Sequence, residues 1–417
     1  MKKRDIFYTE EMINMYEDVY DLCIVGAGMF GSAAARHAST NPGLKACLIG
    51  PTEPSADEGK EREIFSSHYD EGRIVHVIDE NLPHTVLSKH TISRFRELEK
   101  LSGIKFYNPV GFLLTTEKDS KDAINLLQKL LSHDIAFSDL SDGDVFKKRF
   151  PYLQMSDCDC RILDDNGAGY VSARRLVEAQ KKVARLQGCE MIEDIVREVK
   201  DLREGVHQVI TEKNGIIRAQ RVLISAGAFT NYISLQPIGK VKMVVNQETV
   251  AMLRLSEKES EILRSMPTIT YMKIKDDFPN LLNGVYILPP MQYPDGHYYL
   301  KAGRNGINST EPNLKEVNEW YNSHGDLEIV NQLSCLLRQL LPNTNFEAVS
   351  SKTCLTCHNE TGLPYIDRVT PTVTVAVVGN GVGAMTSDEV GRIAAELSLN
   401  GKWDSELPKN LFEAVLE

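Results

Sequence analysis

The first clear pattern along the chain is a short apolar run, followed by a cluster of glycines and then by small residues. Residues 22–25 (LCIV) predict a buried β-strand, the segment GAGMFG that follows predicts a tight turn, and the alanine-rich residues 32–39 predict a helix. Residues 44–50 (LKACLIG) predict a second strand. This order of strand, turn, helix and strand is typical of a nucleotide-binding α/β unit.

Periodicity predicts further helices and strands along the rest of the chain. An acidic lead before residue 20 predicts a helix, as do residues 84–101, 119–133 and the centre of 164–192. An alternating region at 199–211 and a buried strand at 221–228 are predicted, residues 241–255 and 284–303 are strand-rich, and a strand pair around a turn is predicted at 106–116. Residues 372–398 end the pattern with another strand, glycine turn and helix. Because β–α signals stand at both ends and strands dominate the middle, we predict an α/β fold (α+β overall) with two interleaved domains.

Composition and charge exclude several classes of protein. The 417 residues are 42% hydrophobic and 25% charged, as in a globular protein, and the net charge is -11. This charge argues against nucleic acid or an anionic membrane as the main partner. No apolar run approaches the roughly 18 residues of a spanning helix, and the first residues lack the apolar core of a secretory signal. We therefore expect an intracellular protein whose eight cysteines are mostly reduced.

The glycine turn has a specific chemical use. Gly26 permits the tight turn, Gly28 lets a pyrophosphate approach the backbone, and Gly31 lets the helix pack closely on the strand. The acid that usually follows the second strand and binds ribose is missing, because Gly50 stands at its place. Two interpretations of nearby Glu53 stay open: it reaches back to the ribose, or it is a solvated loop charge.

Cys354 and Cys357 have the spacing of a metal or redox motif. A zinc site would need two further ligands at a suitable spacing, and the adjacent His358 is sterically a poor one. A redox pair would be expected at the start of a thioredoxin-like helix, which this segment does not predict. Buried, inert thiols are a further possibility from the residues alone.

Seven motifs, in the same order along the chain, carry a resemblance to a known family. They are YDLCIVGAGMFG, SSHYDEGRIVH, NGAGYVSARRLVEA, RVLISAGAFTN, YYLKAGRNG, SSKTCLTC and VVGNGVGAMTSDEVG. Together they resemble the flavin amine oxidases of the D-amino-acid oxidase group, in the branch of monomeric sarcosine oxidase, N-methyltryptophan oxidase and pipecolate oxidase. The resemblance implies a Rossmann-type FAD-binding domain (1–100, 160–235 and 345–417) interleaved with a substrate domain (101–159 and 236–344) on a large mixed β-sheet.

The resemblance also implies which residues bind the cofactor. Cys354, in Lys352-Thr353-Cys354, matches the cysteine whose thioether joins the flavin 8α carbon, so FAD is expected to be covalent through Cys354. The last glycine turn precedes a helix whose N-terminus would stabilise the anionic reduced flavin. The implied cofactor-binding residues are Gly26, Gly28, Met29, Phe30, Gly31, Ser67, Arg73, Val196, Ala226, Gly227, Cys354, Gly379, Asn380, Gly381, Val382 and Gly383.

Three residues are implied to act in catalysis. Lys301 matches the family lysine that faces the flavin and activates oxygen, and strand alternation puts it on one face with Tyr299. Arg73 matches an arginine close to the flavin ring, and His76 lies three residues further on. The alternative for Lys301 and Arg73 is that each is an ordinary solvated charge on the protein surface.

The substrate-carboxylate site of the family does not carry over. Its arginine and lysine correspond to His76 and Met385, its active-site histidine to Asn305, and its tyrosine to Thr356. Neither His76 nor Met385 supplies the charge that a carboxylate clamp needs. We therefore expect a larger secondary amine, a cyclic alkaloid-like amine or a bulky N-substituted amino acid. Arg304 is either a displaced anion site or points to solvent.

The implied reaction is the oxidation of an amine to an imine, with a hydride equivalent passing to flavin N5 and O2 then yielding H2O2. Alternatives are a dehydrogenase of the same fold with another acceptor, a non-catalytic flavin-binding protein, and an NAD-dependent dehydrogenase, which the missing acid at Gly50 disfavours. We expect a small-molecule amine and O2 as partners, no metal and a monomer. Cytoplasm is favoured over the peroxisome because the ending LFEAVLE lacks Ser-Lys-Leu.

Overall fold

The computed structural model describes residues 19–156, 159–201, 205–272, 278–306 and 309–417. The helix predicted before residue 20 falls on residues 1–18, outside the described residues. The described α-helices are α1 Met29–Ala38, α2 Ala56–Gly59, α3 Leu82–Ser102, α4 Lys121–Ser132, α5 Gly143–Arg149, α6 Ala173–Leu186, α7 Glu257–Ile262, α8 Leu314–Tyr321, α9 Leu327–Leu340 and α10 Gly383–Asn400.

The described strands form four sheets. They are β1 Val19–Tyr20, β2 Leu22–Val25, β3 Ala46–Ile49, β4 Arg73–Val75, β5 Tyr107–Asn108, β6 Phe112–Glu117, β7 Ser138–Asp139, β8 Asp159–Asp164, β9 Gly169–Val171, β10 Glu190–Ile192, β11 Val196–Asp201, β12 His207–Thr211, β13 Ile216–Ala219, β14 Val222–Ile224, β15 Ser234–Leu235, β16 Val244–Leu255, β17 Thr268–Tyr271, β18 Val285–Gln292, β19 Tyr298–Arg304, β20 Ser309–Thr310, β21 Phe346–His358, β22 Tyr365–Asp367 and β23 Val373–Val377. Three short 3₁₀ segments complete the described elements, at Gly227–Tyr232, Pro279–Leu281 and Lys409–Phe412.

A six-stranded sheet positions the first glycine turn. Its order is β10-β3-β2-β14-β23-β22, and all neighbours are parallel except β22 and β23. The strands β2, β3, β14 and β23 are buried throughout, as their continuous apolar runs predict for a parallel sheet covered on both faces. Helices α1 and α10 pack against each other and cover one face. The carboxyl ends of β2, β14 and β23 therefore meet at one edge of the sheet.

A large mixed sheet lies opposite this edge. Its order is β20-β16-β19-β18-β17-β6-β8-β7, with β21 paired along β16. Apolar residues on one face of β16, β18 and β19 pack with α9 into the largest hydrophobic core. Leu300 and Ala302 belong to this core, whereas Lys301 points to the other face, as the alternation of β19 predicts.

Two smaller sheets complete the fold. One has the order β1-β13-β12-β11-β15, and the other has the order β4-β9-β5. Both strands predicted within residues 106–116 form, but they do not pair with each other: β5 pairs with β9, and β6 pairs with β8 and β17. Pro109 and Gly111, which has φ +90°, turn the chain from one sheet into the other.

The α/β fold class predicted from the sequence is confirmed by these sheets and helices. The division into two domains stays a prediction. Strands β8 and β21 pair within the large sheet, although the predicted boundaries assign most of each to the FAD-binding domain. Backbone pairing therefore places residues 159–164 and 346–358 with the substrate-domain segments.

Candidate functional site

The first glycine turn forms the wall of an elongated cleft with an empty volume of about 1300 Å³. Gly26 has φ +107°, and a Cβ there would lie 2.4 Å from the carbonyl oxygen of Ser225. A Cβ at Gly31 would lie 1.9 Å from the carbonyl oxygen of Gly26, so α1 can approach β2 only because position 31 is a glycine. At Gly28 the nearest atom to a Cβ is Ser66 Oγ at 3.6 Å, so the protein leaves room there. The turn predicted at Gly26 and the close packing predicted at Gly31 agree with this geometry, while the phosphate approach at Gly28 stays a prediction.

The residue after β3 is a glycine for a steric reason. A Cβ at Gly50 would lie 2.5 Å from the backbone nitrogen of Ala27, so a ribose-binding acid cannot occupy this position. Glu53 is an ion-pair partner of Arg174, with Nε to Oε2 at 2.5 Å and Nη2 to Oε1 at 2.7 Å. Both oxygens of Glu53 are thus bonded to a guanidinium, an arrangement that neither interpretation of Glu53 included.

The predicted cofactor residues come together along this cleft, although they are far apart in sequence. Gly31 is buried beneath the turn rather than in the lining, while Cys354 and Val382 line the neighbouring cavity. The predicted residues that line the cleft are Gly26, Gly28, Met29, Phe30, Ser67, Arg73, Val196, Ala226, Gly227, Gly379, Asn380, Gly381 and Gly383.

A second cavity, with an empty volume of about 1810 Å³, adjoins the cleft beneath the large sheet. The two share a wall that includes Arg73, Thr356 and Asn380. Part of that wall is the last glycine turn, where Val378, Asn380 and Gly381 all have positive φ. The turn leads into α10, and no side chain caps the N-terminal amides of that helix. These amides give the shared wall a positive partial charge.

A charged cluster occupies this cavity and centres on Asp70. Its Oδ2 is bonded to Lys301 Nζ and to Arg73 Nη1, and its Oδ1 accepts from Tyr293 at 2.6 Å and from the Glu71 amide at 2.8 Å. Lys301 also donates to the Gly72 carbonyl at 2.9 Å, and its side chain is only 3% exposed. The alternative of solvated surface charge therefore does not describe Lys301.

Burial and neighbouring charge set the ionisation of this cluster. Burial, with the nearby Arg73, lowers the pKa of Lys301 to about 8, while Asp70 opposes the shift. Burial alone would raise the pKa of Asp70, but Lys301 and Arg73 outweigh it and hold that pKa well below its usual range. Near pH 7 the cluster thus holds two cations and one anion, with a net charge of +1.

Cys354 lies on the cavity face of β21, opposite Glu248 of β16. Its carbonyl accepts a hydrogen bond from the Trp320 indole at 3.1 Å. Burial raises the pKa of the Cys354 thiol to about 11, and Arg73 opposes this rise. The nearby Cys357 is a buried free thiol that lines the cleft instead.

The four residues that replace the family's substrate contacts all line the second cavity. His76 is stacked on Phe112 with ring centroids 4.1 Å apart, burial lowers its pKa, and its Nδ1 has no hydrogen-bond partner among the described residues. Met385 is buried at the start of α10. Asn305 lies at the exposed rim, and Thr356 lies within 2.9 Å of His358 Nε2. A neutral imidazole and a thioether cannot form a carboxylate clamp.

Sequence inspection missed two carboxyl groups of this cavity, Asp70 and Glu248. Asp70 lies three residues before Arg73 in the quoted motif SSHYDEGRIVH, so proximity to an implied active-site residue was the available signal. Glu248 is an acidic residue within a mostly apolar strand, and this isolated charge was the signal that could have marked it as a site residue. Arg304 also lines the cavity, and its use as an anion site stays a prediction.

The residues present fit FAD. The cleft has glycine backbone at the point where a pyrophosphate would approach, and α1 begins there without a side-chain cap. The cavity has the room and the charge for a ring system that becomes anionic. Within the described ranges, no group of three or more His, Cys, Asp or Glu side chains is placed to hold a metal ion. The described cysteines are all free thiols.

Comparisons with known proteins bear on this arrangement. The model of the FAD dependent oxidoreductase family matches residues 21–397. N-methyl-L-tryptophan oxidase of Yersinia pestis (strain Pestoides F) is 23% identical over 228 residues, which are 54% of this chain and 58% of that protein. The alignment thus spans little more than half the length of this curated relative.

Solved structures share the fold over nearly the whole chain. NikD, an unusual amino acid oxidase essential for nikkomycin biosynthesis, matches with a TM-score of 0.75, 16% identity, and coverage of 96% of this chain and 99% of its own. L-proline dehydrogenase from P. horikoshii matches with a TM-score of 0.71, 15% identity, and coverage of 95% and 97%. At these identities the likeness shows the fold alone. None of the described helices has the length and apolar character of a membrane span.

Proposed function

Because the chain belongs to the FAD dependent oxidoreductase family, we propose that it is an oxidase of a secondary amine or an N-substituted amino acid. The product is the imine, and O2 is the second substrate and yields H2O2. The name of the curated relative, N-methyl-L-tryptophan oxidase, supports an N-substituted amino acid as one substrate class. The observation that carries the proposal is the buried Lys301 ammonium in a cavity that adjoins the glycine-lined cleft.

FAD, when bound, supplies the two-electron acceptor for the amine and the donor for O2. The protein's own contribution is positioning and electrostatics. Lys301 and Arg73, offset by Asp70, leave one net positive charge beside the ring site, which favours the superoxide formed by the first electron transfer to O2. The uncapped amides of α10 favour negative charge at the wall that the cavity shares with the cleft.

We propose that the flavin is attached covalently through Cys354. The position of Cys354 on the cavity face of β21 supports this, as does Arg73, the cation that most favours its thiolate. The raised pKa leaves few thiolates at neutral pH, so attachment is expected to be slow and to speed up as pH rises.

The substrate is proposed to be larger than sarcosine and not held by a two-cation carboxylate clamp. The apolar or neutral side chains of His76 and Met385 at the clamp positions support this, as does the size of the cavity. The proposal also includes a monomer, which sedimentation would test.

Anaerobic mixing with amines tests the function directly. N-methyl-L-tryptophan, pipecolate, N-methylbenzylamine and sarcosine are added to the FAD-loaded protein, and bleaching of the flavin band at about 450 nm is followed. At least one of the first three is expected to bleach the flavin faster than sarcosine and to give one H2O2 per amine in air. Turnover with an artificial acceptor but without peroxide would identify a dehydrogenase, and no bleaching by any amine would favour a non-catalytic flavin-binding protein.

A further inference from the structure

One face of the strand pair β16–β21 presents a line of polar groups to the second cavity. Asn246 pairs across the strands with Thr356, and Glu248 pairs with Cys354. Side chains two residues apart share a face of a strand, so Glu248, Cys354 and Thr356 all project to the same side. The lining of the cavity includes these three residues and His358.

Two separate hydrogen-bonded pairs lie along this line. Glu248 Oε1 accepts from the Asn246 amide at 2.5 Å. The Thr356 oxygen lies 2.9 Å from His358 Nε2. Burial lowers the pKa of His358, so its ring is neutral near pH 7.

Glu248 differs from the other carboxylate in the described lining of this cavity. Asp70 accepts from two cations, a phenol and an amide, so its oxygens are occupied. Glu248 forms no ion pair with any of the described residues, and it accepts a side-chain hydrogen bond from the Asn246 amide. It is therefore the carboxylate of this lining that can accept a further hydrogen bond from a ligand.

Charged and titratable groups surround Glu248 on several elements. Burial raises its pKa to about 7, and Arg304 and Arg73 oppose the rise. The other charged and titratable groups of the cavity lining are Arg304 and Lys301 on β19, Tyr286 on β18, Cys354, Lys352 and His358 on β21, Tyr321 on α8, Tyr69 and Asp70 before β4, Arg73 on β4, and His76 directly after it.

We propose that Glu248 accepts the proton that the substrate ammonium must lose before oxidation. This inference rests on the proposed amine oxidation and deepens it by assigning the proton acceptor. An alkylammonium has a pKa of about 10, like a lysine, so a secondary amine reaches the cavity protonated. Oxidation requires the nitrogen lone pair, and the proton therefore has to leave.

The step is a simple proton transfer. The substrate N–H bond breaks, an O–H bond forms on Glu248, and the electron pair of the N–H bond stays on nitrogen. A carboxyl group whose pKa lies near neutrality is a suitable acceptor at physiological pH.

Binding of tert-butylamine to the FAD-loaded protein tests this without any turnover. This amine has no hydrogen on the carbon next to nitrogen, so it cannot be oxidised. Its binding is followed through the visible flavin spectrum from pH 6 to 9.5. In the native protein the affinity is expected to be independent of pH above about 7, because the ionised acceptor takes the charged amine without net proton release.

The variant Glu248→Gln provides the contrast. This variant can bind only the neutral amine. Its affinity for tert-butylamine is therefore expected to be at least about tenfold weaker than that of the native protein at pH 8, and to rise about tenfold for each unit by which the pH increases. Glu360→Gln, which changes an exposed carboxylate, is the control and should behave like the native protein.

A tenfold rise per pH unit in the native protein, or no binding at any pH, would overturn the assignment of Glu248. The native titration decides this even when Glu248→Gln fails to fold. Failure of the proposed function is distinct: the protein would bind tert-butylamine as described, yet no amine would bleach its flavin.

Discussion

Lys301 is the side chain whose buried positive charge is predicted to accelerate the reaction of the reduced flavin with O2. Replacement by methionine keeps the length and apolar stem but removes the buried charge. We predict that reoxidation of the reduced flavin by O2 slows by about 100-fold or more, because an oriented charge in an enclosed site has an effect of this size on the rate. The rate of flavin reduction by the amine should change by less than about tenfold, because Lys301 acts on the oxygen reaction. Stopped-flow measurement of the two half-reactions checks this. Lys352→Met, which removes a cation placed over Tyr293 in the same cavity, is the matched control.

The ionisation of Lys301 predicts the pH dependence of the oxygen reaction. Its pKa is lowered to about 8, so the cation is present below pH 8 and is lost above it. The rate of reoxidation should therefore be constant below about pH 7 and fall tenfold per pH unit above pH 8. Asp70→Asn removes the anion that supports the charge and should move this fall to lower pH.

Glu71→Gln serves as the neighbouring control for Asp70→Asn, because Glu71 is bonded to Arg174 and Ser172 rather than to Lys301. Its profile should match that of the native protein. A fall at the same pH in Asp70→Asn would contradict the assigned role of Asp70.

Cys354→Ser tests the covalent attachment. The native protein should stay yellow after acid precipitation, whereas the variant should release its FAD into the supernatant. Cys357→Ser, which removes a buried thiol of the same strand, should retain the flavin in the pellet. Loss of the colour from the native pellet would contradict the thioether.

Local motifs marked Lys301 and Cys354, and both residues line the second cavity, while their roles stay predictions. Sequence inspection did not locate Asp70 as the partner of Lys301, because the two are 231 positions apart and only the tertiary fold joins them. Glu248 was missed for the same reason, since its cavity face is set by the pairing of β16 with β21.

At the scale of elements, replacing each of two glycines of the first glycine turn by alanine is predicted to have opposite effects on the stability of the apoprotein and on FAD binding. Gly28 has φ −79° and ψ −163°, and a Cβ there meets no atom nearer than 3.6 Å. Gly28→Ala should therefore leave the stability of the apoprotein within about 1 kcal/mol but weaken FAD binding, because the methyl group occupies the phosphate approach. Thermal unfolding of the apoprotein and FAD titration check the two parts.

Gly31→Ala is the contrasting variant. Alanine would gain up to about 1 kcal/mol of helix propensity, but its Cβ would lie 1.9 Å from a backbone oxygen. The clash should dominate and destabilise the apoprotein by about 3 kcal/mol or more, since neither backbone can move freely. An unchanged unfolding temperature would contradict the packing role of Gly31.

The periodicities predicted helices α1, α3, α4, α6 and α10 and the strands before both glycine turns, but they did not predict the core helix α9 or the long strand β21. The pairing of strands was harder to predict, because an alternating pattern defines a face but not a neighbour. Residues 106–116 show this: both strands form, yet each pairs in a different sheet.

At the scale of the whole molecule, the fold brings together a wall from the six-stranded sheet and a wall from the large mixed sheet. The carboxyl ends of β2, β14 and β23 carry the glycine-lined cleft, and the large sheet carries Lys301, Glu248 and Cys354. The family inferred from seven motifs is confirmed by the match over residues 21–397. The substrate could not be predicted, because His76 and Met385 replace the two charged side chains with which the family binds the substrate carboxylate.

The central claim is that the isoalloxazine ring lies between Lys301 and the turn at Gly379–Gly383. A crystal structure of the FAD-loaded protein tests it most directly. Electron density for the ring is expected in the cavity lined by Lys301, Arg73 and the start of α10. Density that shows side chains filling this space, or a nicotinamide nucleotide bound in it, would contradict the account.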